Sequence, residues 1–307
     1  MSLVDANGIY RGPRDTQFRD FLLSLFQRSN LTKDITDILL SGENYQLFSR
    51  AFTGPTAHPF NNYERYEQIG DVSVKKFVVE YMYRRFPQID CTKGVGIVAR
   101  LKIYYESSIV LADLADRLGF WPFITALDAP GPNSQGNKSK KGHNRKFGKT
   151  KLLEDVFESF IGCTTTIIDN IYRPGVGYGI VYSILENIFD EENITLDYNI
   201  LFDAKSVLNE NIPYLRQNDT EFGNILYEST QDPITKEFYT YIIFQTRDHL
   251  KQKQKQTDQL PPGIIIGQGI HKTKVEAEKL AARKALDYLK KAGKAKPRDE
   301  FYNIFCE

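Results

Sequence analysis

The sequence predicts an α+β chain of two domains, an all-helical domain followed by a smaller α-β-β-β-α domain. Three observations carry this prediction. Apolar residues recur at helical spacing from residue 14 to about residue 195. Past a break near residues 196–204 the period changes to the alternation of β-branched and aromatic residues that strands show. The last long run is again helical and ends at a glycine. A length of 307 residues suits about two domains, and 41% apolar with 13% aromatic residues is ample for packed cores.

The elements follow in order. "RDTQFRDFLLSLFQR" and "DITDILLSGENYQLFSRAF" carry apolar residues on one helical face. So do the runs beginning at Glu64, at Val95 ("VGIVARLKIYYESSIVLADLADRLGF") and at Thr150 ("TKLLEDVFESFIGCTTTIIDNIY"), and "GYGIVYSILENIFDEE" continues them. In the second half "DAKSVLNENIPYL" is one more helix, and "GNILYEST", "FYTYIIFQT" and "PPGIIIGQG" are three strands. "TKVEAEKLAARKALDYLKKAG" closes the domain as a helix. The expected layout is an extension with a helix over 1–32, a helical domain over 33–199, a small domain over 200–292 and a tail over 293–307.

Composition excludes several classes. No stretch approaches the roughly 18 apolar residues of a membrane span. The amino terminus "MSLVDANGIYRGPRD" lacks the regions of a secretory signal. Cys91, Cys163 and Cys306 are widely spaced and odd in number, which points to a reducing, intracellular setting without structural zinc. Nucleus and cytoplasm are not distinguished. The net charge of +1 is uninformative, but its distribution is not. "PGPNSQGNKSKKGHNRKFGK" reads as a loop, and from Ala129 to Leu153 there is no acid against seven basic residues. From Lys272 to Arg298 ten basic residues face three acids. Two local basic surfaces suit a polyanion, or are solvated surface.

"NNYERYEQIGD" raises the chemical question. Glu64, Glu67 and Asp71 fall at i, i+3 and i+7, a narrow stripe on one helical face where they repel one another. Asp155 and Glu158 in "KLLEDVFESFIGC" sit at i and i+3 on an otherwise apolar helix. Burying unpaired carboxylates is costly, and neither helix offers a convincing stack of basic partners. Divalent cations held by oxygen ligands fit such a pair of motifs; helix capping or surface pairing with lysines is the alternative.

These motifs bear a resemblance. "LFSRAFTG", "NYERYEQIGD", "YRRFP" and "KLLEDVFESFIG" occur in the order and approximate spacing of the ribonuclease III catalytic domain, whose signature reads roughly N-E-R-x-E-F-L-G-D with a D-x-x-E-[AS] helix downstream. The second domain resembles the double-stranded-RNA-binding domain of that family, through "GQGIHKTKVEAEKLAARKAL". The likeness runs from about residue 33 to 291. It implies that Glu67, Asp71, Asp155 and Glu158 are metal-binding carboxylates, with Glu64 an additional acid. It implies that Lys151 lies beside the scissile phosphate and that Lys272 and Lys274 grip RNA phosphates.

The resemblance also has departures. Gln68 stands where the family has an aromatic residue that joins two catalytic domains. "DCTKGVGIVARLK" is longer than the bacterial pattern and shows no counterpart of a further family acid. Thr235 sits near where many RNA-binding domains carry histidine, and "KTKVEAE" is two residues longer than the common spacing. The implied activity is an Mg²⁺-dependent endonuclease, with Mn²⁺ as a substitute. It would cut double-stranded RNA as a homodimer to leave 5′-phosphates, 3′-hydroxyls and short 3′ overhangs, in RNA processing or a dicer-like role. An inert RNA-binding protein, which predicts eroded carboxylates, and a hydrolase of small phosphates are the rival classes.

Overall fold

The computed structural model describes residues 5, 9–127, 148–197, 201–251 and 260–301. The basic segment 138–147, the expected boundary at 199–200 and Cys306 lie outside these. The chain divides into two compact units, Met1–Ile194 and Thr195–Glu307.

The first unit is helical. Helices α1 (Thr16–Arg28), α2 (Lys33–Leu39) and α3 (Gly42–Ala51) precede α4 (Glu64–Arg85). Asp15 starts α1 by accepting from Gln17 N, and Thr32 starts α2 by accepting from Ile35 N, which satisfies amide groups that the first turn leaves unpaired. The run 33–51, continuous in its apolar spacing, is interrupted at Ser41, whose extended backbone (ψ 154°) begins a new helix. The run from Val95 likewise forms two helices, α5 (Gly94–Tyr105) and α6 (Ser108–Arg117). Ser107 ends the first by donating its hydroxyl to Tyr104 O at 2.6 Å while its own backbone turns extended. Serine competes for backbone groups in this way and so breaks a helix whose apolar period continues. Helices α7 (Gly148–Ile171) and α8 (Val176–Asp190) complete the unit.

The core sits around α7, which is buried without interruption from Leu153 to Ile168. Phe160 of α7 packs on Phe26, Phe48 and Phe120 at centroid distances of 5.8, 5.9 and 5.6 Å. Helix α4 buries Val74, Phe77, Val78, Tyr81 and Met82, the i, i+3, i+4, i+7, i+8 stripe of a core-facing helix. This explains the apolar run behind the acids: one end of α4 is anchored in the core while the other presents carboxylates. Two glycines set how closely α4 and α7 cross. A Cβ on Gly70 would lie 1.7 Å from Glu158 O, and one on Gly162 would lie 2.0 Å from Tyr66 O. The two backbones therefore touch where any side chain would hold them apart.

The second unit has helix α9 (Ala204–Asn218), capped by Asp203 on Ser206 N. Strands β1 (Phe222–Gln231), β2 (Phe238–Thr246) and β3 (Ile264–His271) follow as an antiparallel sheet in the order β1-β2-β3, with Tyr227 opposite Ile242 and Ile242 opposite Gly267. A short helix, α10 (Arg247–Lys251), follows β2, and α11 (Lys274–Lys291) closes the unit. Its core joins Leu208 and Leu215 to Phe222, Ile242, Phe244 and Ala281, Ala282 and Ala285. The small residues have a purpose: a Cβ on Gly267 or Gly269 would strike the carbonyls of Ala281 or Ala277 at 2.2 and 2.0 Å, so α11 lies directly on β3.

Candidate active site

The crossing of α4 over α7 determines which acids meet. Glu67 lies one turn before Gly70, while Glu158 supplies the carbonyl against which Gly70 packs. Glu67, Asp155 and Glu158 each offer a carboxylate oxygen within 4.8 Å of the others. Asp155 and Glu158 are buried, at 4% and 6% exposure, and Glu67 is partly so. Burial first, then Asp155, raises the Glu67 pKa to about 7, an effect that Lys151 opposes. Burial first, then Asp71, Glu154 and Glu67, raises that of Glu158 to about 8. Both shifts have one physical cause: carboxylates packed together out of water resist ionising together.

Asp71 lies one turn beyond Glu67 on α4 and its charge reaches Glu158, but its carboxylate is held 2.7 Å from Lys75 Nζ. Glu64 is exposed at the start of α4, its backbone N–H donating to Asn62 Oδ1 at 3.0 Å. Lys151, on α7 itself, places its Nζ 2.6 Å from Asp155, 3.4 Å from Glu154 and 3.8 Å from Glu67. The expectation from sequence is that neither helix offers a convincing stack of basic partners, with pairing to lysines as the alternative, and each helix supplies one lysine. Lys151 and Lys75 reach the acids because a lysine one helical turn from an acid lies on the same face. Burial works against the Lys151 charge, yet the hydrogen bond and attraction of Asp155 raise its pKa.

Sequence reasoning missed four further groups. Tyr63, within the acidic stretch itself, donates its hydroxyl to Asp155 Oδ2 at 2.7 Å. Burial and the Asp155 charge raise its pKa, so it stays a donor. Glu154, next to Asp155, is buried and accepts from Ser108 Oγ at 2.8 Å. It lies one helical turn before Glu158 and so on the same face, a spacing the sequence shows, while the packing of α6 on α7 buries it. Lys75 is legible as i+4 from Asp71. Glu106 has no spacing signal; burial raises its pKa, Lys102 and Lys75 oppose this, and Asp71 adds to it. Lys272 and Lys274 belong to the second unit and are exposed. Lys274 is the first residue of α11 and lies 3.8 Å from Glu278.

The cluster suits a divalent cation. Its donors are all oxygens from carboxylates, the ligands that hard cations take. The side-chain atoms Asp155 Oδ1 and Glu154 Oε2 are buried and face the Lys151 ammonium, at 2.6 and 3.4 Å. Two acids held near neutral pKa values by burial and then by mutual repulsion are what a cation would relieve. Among the described residues no helix is long and apolar enough to cross a membrane.

The Ribonuclease III domain family matches this chain over residues 64–166, the span that carries both acidic motifs. A protein named "Putative ribonuclease 3" from Invertebrate iridescent virus 6 is 34% identical over 297 residues, covering 93% of this chain and 91% of its own length. Another of that name, from Frog virus 3 (isolate Goorha), is 33% identical over 255 residues, covering 83% of this chain and 58% of its own length. "Ribonuclease 3" of Halalkalibacterium halodurans is 28% identical over 226 residues, covering 73% and 69% respectively.

Proposed function

The chain belongs to the ribonuclease III family of endoribonucleases, and on that premise we propose that it hydrolyses phosphodiester bonds of double-stranded RNA with Glu67, Asp71, Asp155 and Glu158 as ligands of Mg²⁺, or of Mn²⁺ in its place. The observation that carries this is the meeting of Glu67, Asp155 and Glu158 across the α4–α7 crossing. A bound divalent cation supplies Lewis-acid stabilisation of phosphate charge and a more acidic water. The protein supplies the rest. Tyr63 orients Asp155 through its hydroxyl, and Ser108 holds Glu154 in place. Glu67 and Glu158, near neutral pKa when no cation is bound, would hold a cation as carboxylates and so give up their protons to solvent. Lys151 keeps its charge beside Asp155 and offers an ammonium to a phosphate oxygen. Glu64 adds negative potential at Glu67.

One cluster cuts one strand, so staggered ends with 5′-phosphates and short 3′ overhangs require two clusters related by a two-fold axis. A homodimer is supported by apolar side chains on the elements next to the carboxylates: Val72 of α4, Ile103 and Tyr104 of α5 and Ile109 of α6 are 64%, 74%, 59% and 77% exposed. The second unit acts as a double-stranded-RNA-binding domain, with Lys272 and Lys274 beside the start of α11, where backbone N–H groups favour a phosphate. The test is incubation with long duplex RNA with and without Mg²⁺, resolved on a denaturing gel beside a single-stranded control. Metal-dependent loss of the duplex alone is the expected result. Intact duplex at saturating enzyme and metal refutes the reading.

A further inference from the structure

A second polar cleft, of about 350 Å³, lies outside the carboxylate cluster in the first unit. The amino-terminal segment, α3 and the loop between α3 and α4 enclose it. Arg11, Arg14, Arg50 and His58 line it, and among the described residues no aspartate or glutamate does. In a chain whose acids and bases nearly balance, three guanidinium groups on one cleft without a lining carboxylate need a physical account.

Each cation is differently committed. Arg14 donates to the carbonyls of Phe123 (2.7 Å), Pro13 (2.8 Å) and Phe52 (3.2 Å) and to Ser49 Oγ (3.0 Å), over the ring of Phe18. Its partners are neutral, and burial lowers its pKa to about 10. It therefore brings an uncompensated positive charge to the cleft wall. Arg50 spends only Nε, on Asn62 O at 3.0 Å, and packs its guanidinium on Tyr66. Among the described residues its two terminal amino groups have no hydrogen-bond partner, which leaves a planar fork of donors. Arg11 is exposed and paired with Asp5. His58 Nδ1 accepts from Asn61 N at 2.8 Å, so the neutral ring carries its proton on Nε2 and is a donor too.

We propose that this cleft binds a phosphate group, with Arg50 as the fork, Arg11 and His58 as further donors and Arg14 as the buried charge behind them. A tetrahedral oxyanion matches a guanidinium fork in geometry as well as in charge. The site rests on the reading of the chain as an RNA-cutting enzyme only for the source of that phosphate. The two sites share one segment. Arg50 holds Asn62 O, Asn62 Oδ1 accepts from Glu64 N, and the intervening Tyr63 reaches Asp155. A duplex at the carboxylates therefore has its own phosphates at hand, either an internal diester or a terminal 5′-monoester.

The full-length protein distinguishes these. Thermal melts at constant ionic strength, with inorganic phosphate replacing chloride, should show saturable stabilisation in the wild type that is lost in Arg11→Gln/Arg50→Gln. Arg14 is left alone because it ties backbone segments together. RNA binding is then measured in Ca²⁺ with a covalently closed duplex, a linear 5′-hydroxyl duplex and a linear 5′-phosphate duplex. Loss of the one phosphate contact should lower the log–log salt slope by about 0.9, so the affinity deficit changes about 3.5-fold between 50 and 200 mM salt. An equal loss on all three duplexes assigns an internal diester, and a loss confined to the 5′-phosphate duplex assigns the end. Arg50→Lys, which keeps charge without the fork, should restore part of the slope. Stabilisation by phosphate with unchanged RNA binding retains the phosphate site and rejects RNA as its source. Absence of both effects overturns the proposal. Failure of the wild type to cut duplex RNA removes the nuclease reading and leaves the inorganic-phosphate result standing.

Discussion

Replacing Glu158 by glutamine separates the two effects of negative charge at the α4–α7 crossing. Without metal, Glu158 is 6% exposed, and burial followed by Asp71, Glu154 and Glu67 raises its pKa from 4.5 to about 8. A carboxyl whose folded pKa exceeds its unfolded value holds its proton more tightly when folded. Stability is then greatest below about pH 4.5 and falls as pH rises towards 8. At pH 7 the difference from the unfolded value corresponds to at most about 3 kcal/mol, at about 1.4 kcal/mol per pH unit. Glutamine keeps the shape and removes the charge. Metal-free Glu158→Gln should therefore be more stable than the wild type at pH 8 by about 1–3 kcal/mol, or roughly 2–10 °C for a unit of this size. With Mg²⁺ the order should invert, because the wild type gains a ligand that the variant cannot supply. Single-turnover cleavage should fall about 10³-fold, the scale of several kcal/mol of lost metal-ion catalysis. Calorimetry in chelator and in Mg²⁺ at pH 6 and 8, beside single-turnover assays, reads both effects. A metal-free variant that melts below the wild type at pH 8, or that cleaves at the wild-type rate, would refute the reasoning.

Because Glu67 and Glu158 have pKa values of about 7 and 8 without metal, Mg²⁺ affinity should rise most steeply between pH 6 and 8. Calorimetric titration in buffers of different ionisation enthalpy should count protons released on binding, and a count of zero contradicts the cluster. Gly162→Ala places a Cβ 2.0 Å from Tyr66 O, and should cost about 1–3 kcal/mol and much of the activity by spreading α4 from α7. Gly96→Ala, on an exposed helical position with nothing within 4 Å, should instead stabilise by about 0.5–1 kcal/mol; equal melting shifts for the two would contradict the close-crossing argument. Lys272→Gln/Lys274→Gln should lower the salt slope of duplex binding by about 1.8 while leaving single-turnover cleavage at saturating RNA unchanged. A filter-binding titration with an unchanged slope would move the RNA contact elsewhere.

The acids and the helices that carry them were legible because helical period and carboxylate spacing are both local. Glu67, Asp155 and Glu158 needed only the three- and four-residue repeat to be singled out, and the change of period past residue 195 was equally plain. Ser41 and Ser107 show the limit of period alone. Apolar spacing runs through both positions, yet each serine turns the backbone extended and starts a new helix. Asp71 and Lys151 show a second limit, since their helical faces were clear but their partners were not. The sequence by itself determined that there are two domains, that one is helical, and that acids crowd two of its helices. Only the tertiary structure decided which acids meet, that Tyr63 reaches Asp155, that Glu154 is buried, and that three arginines share a cleft. The reason is physical: Gly70 and Gly162 let two backbones touch, and contacts between residues some ninety positions apart depend on that crossing, not on any spacing along the chain.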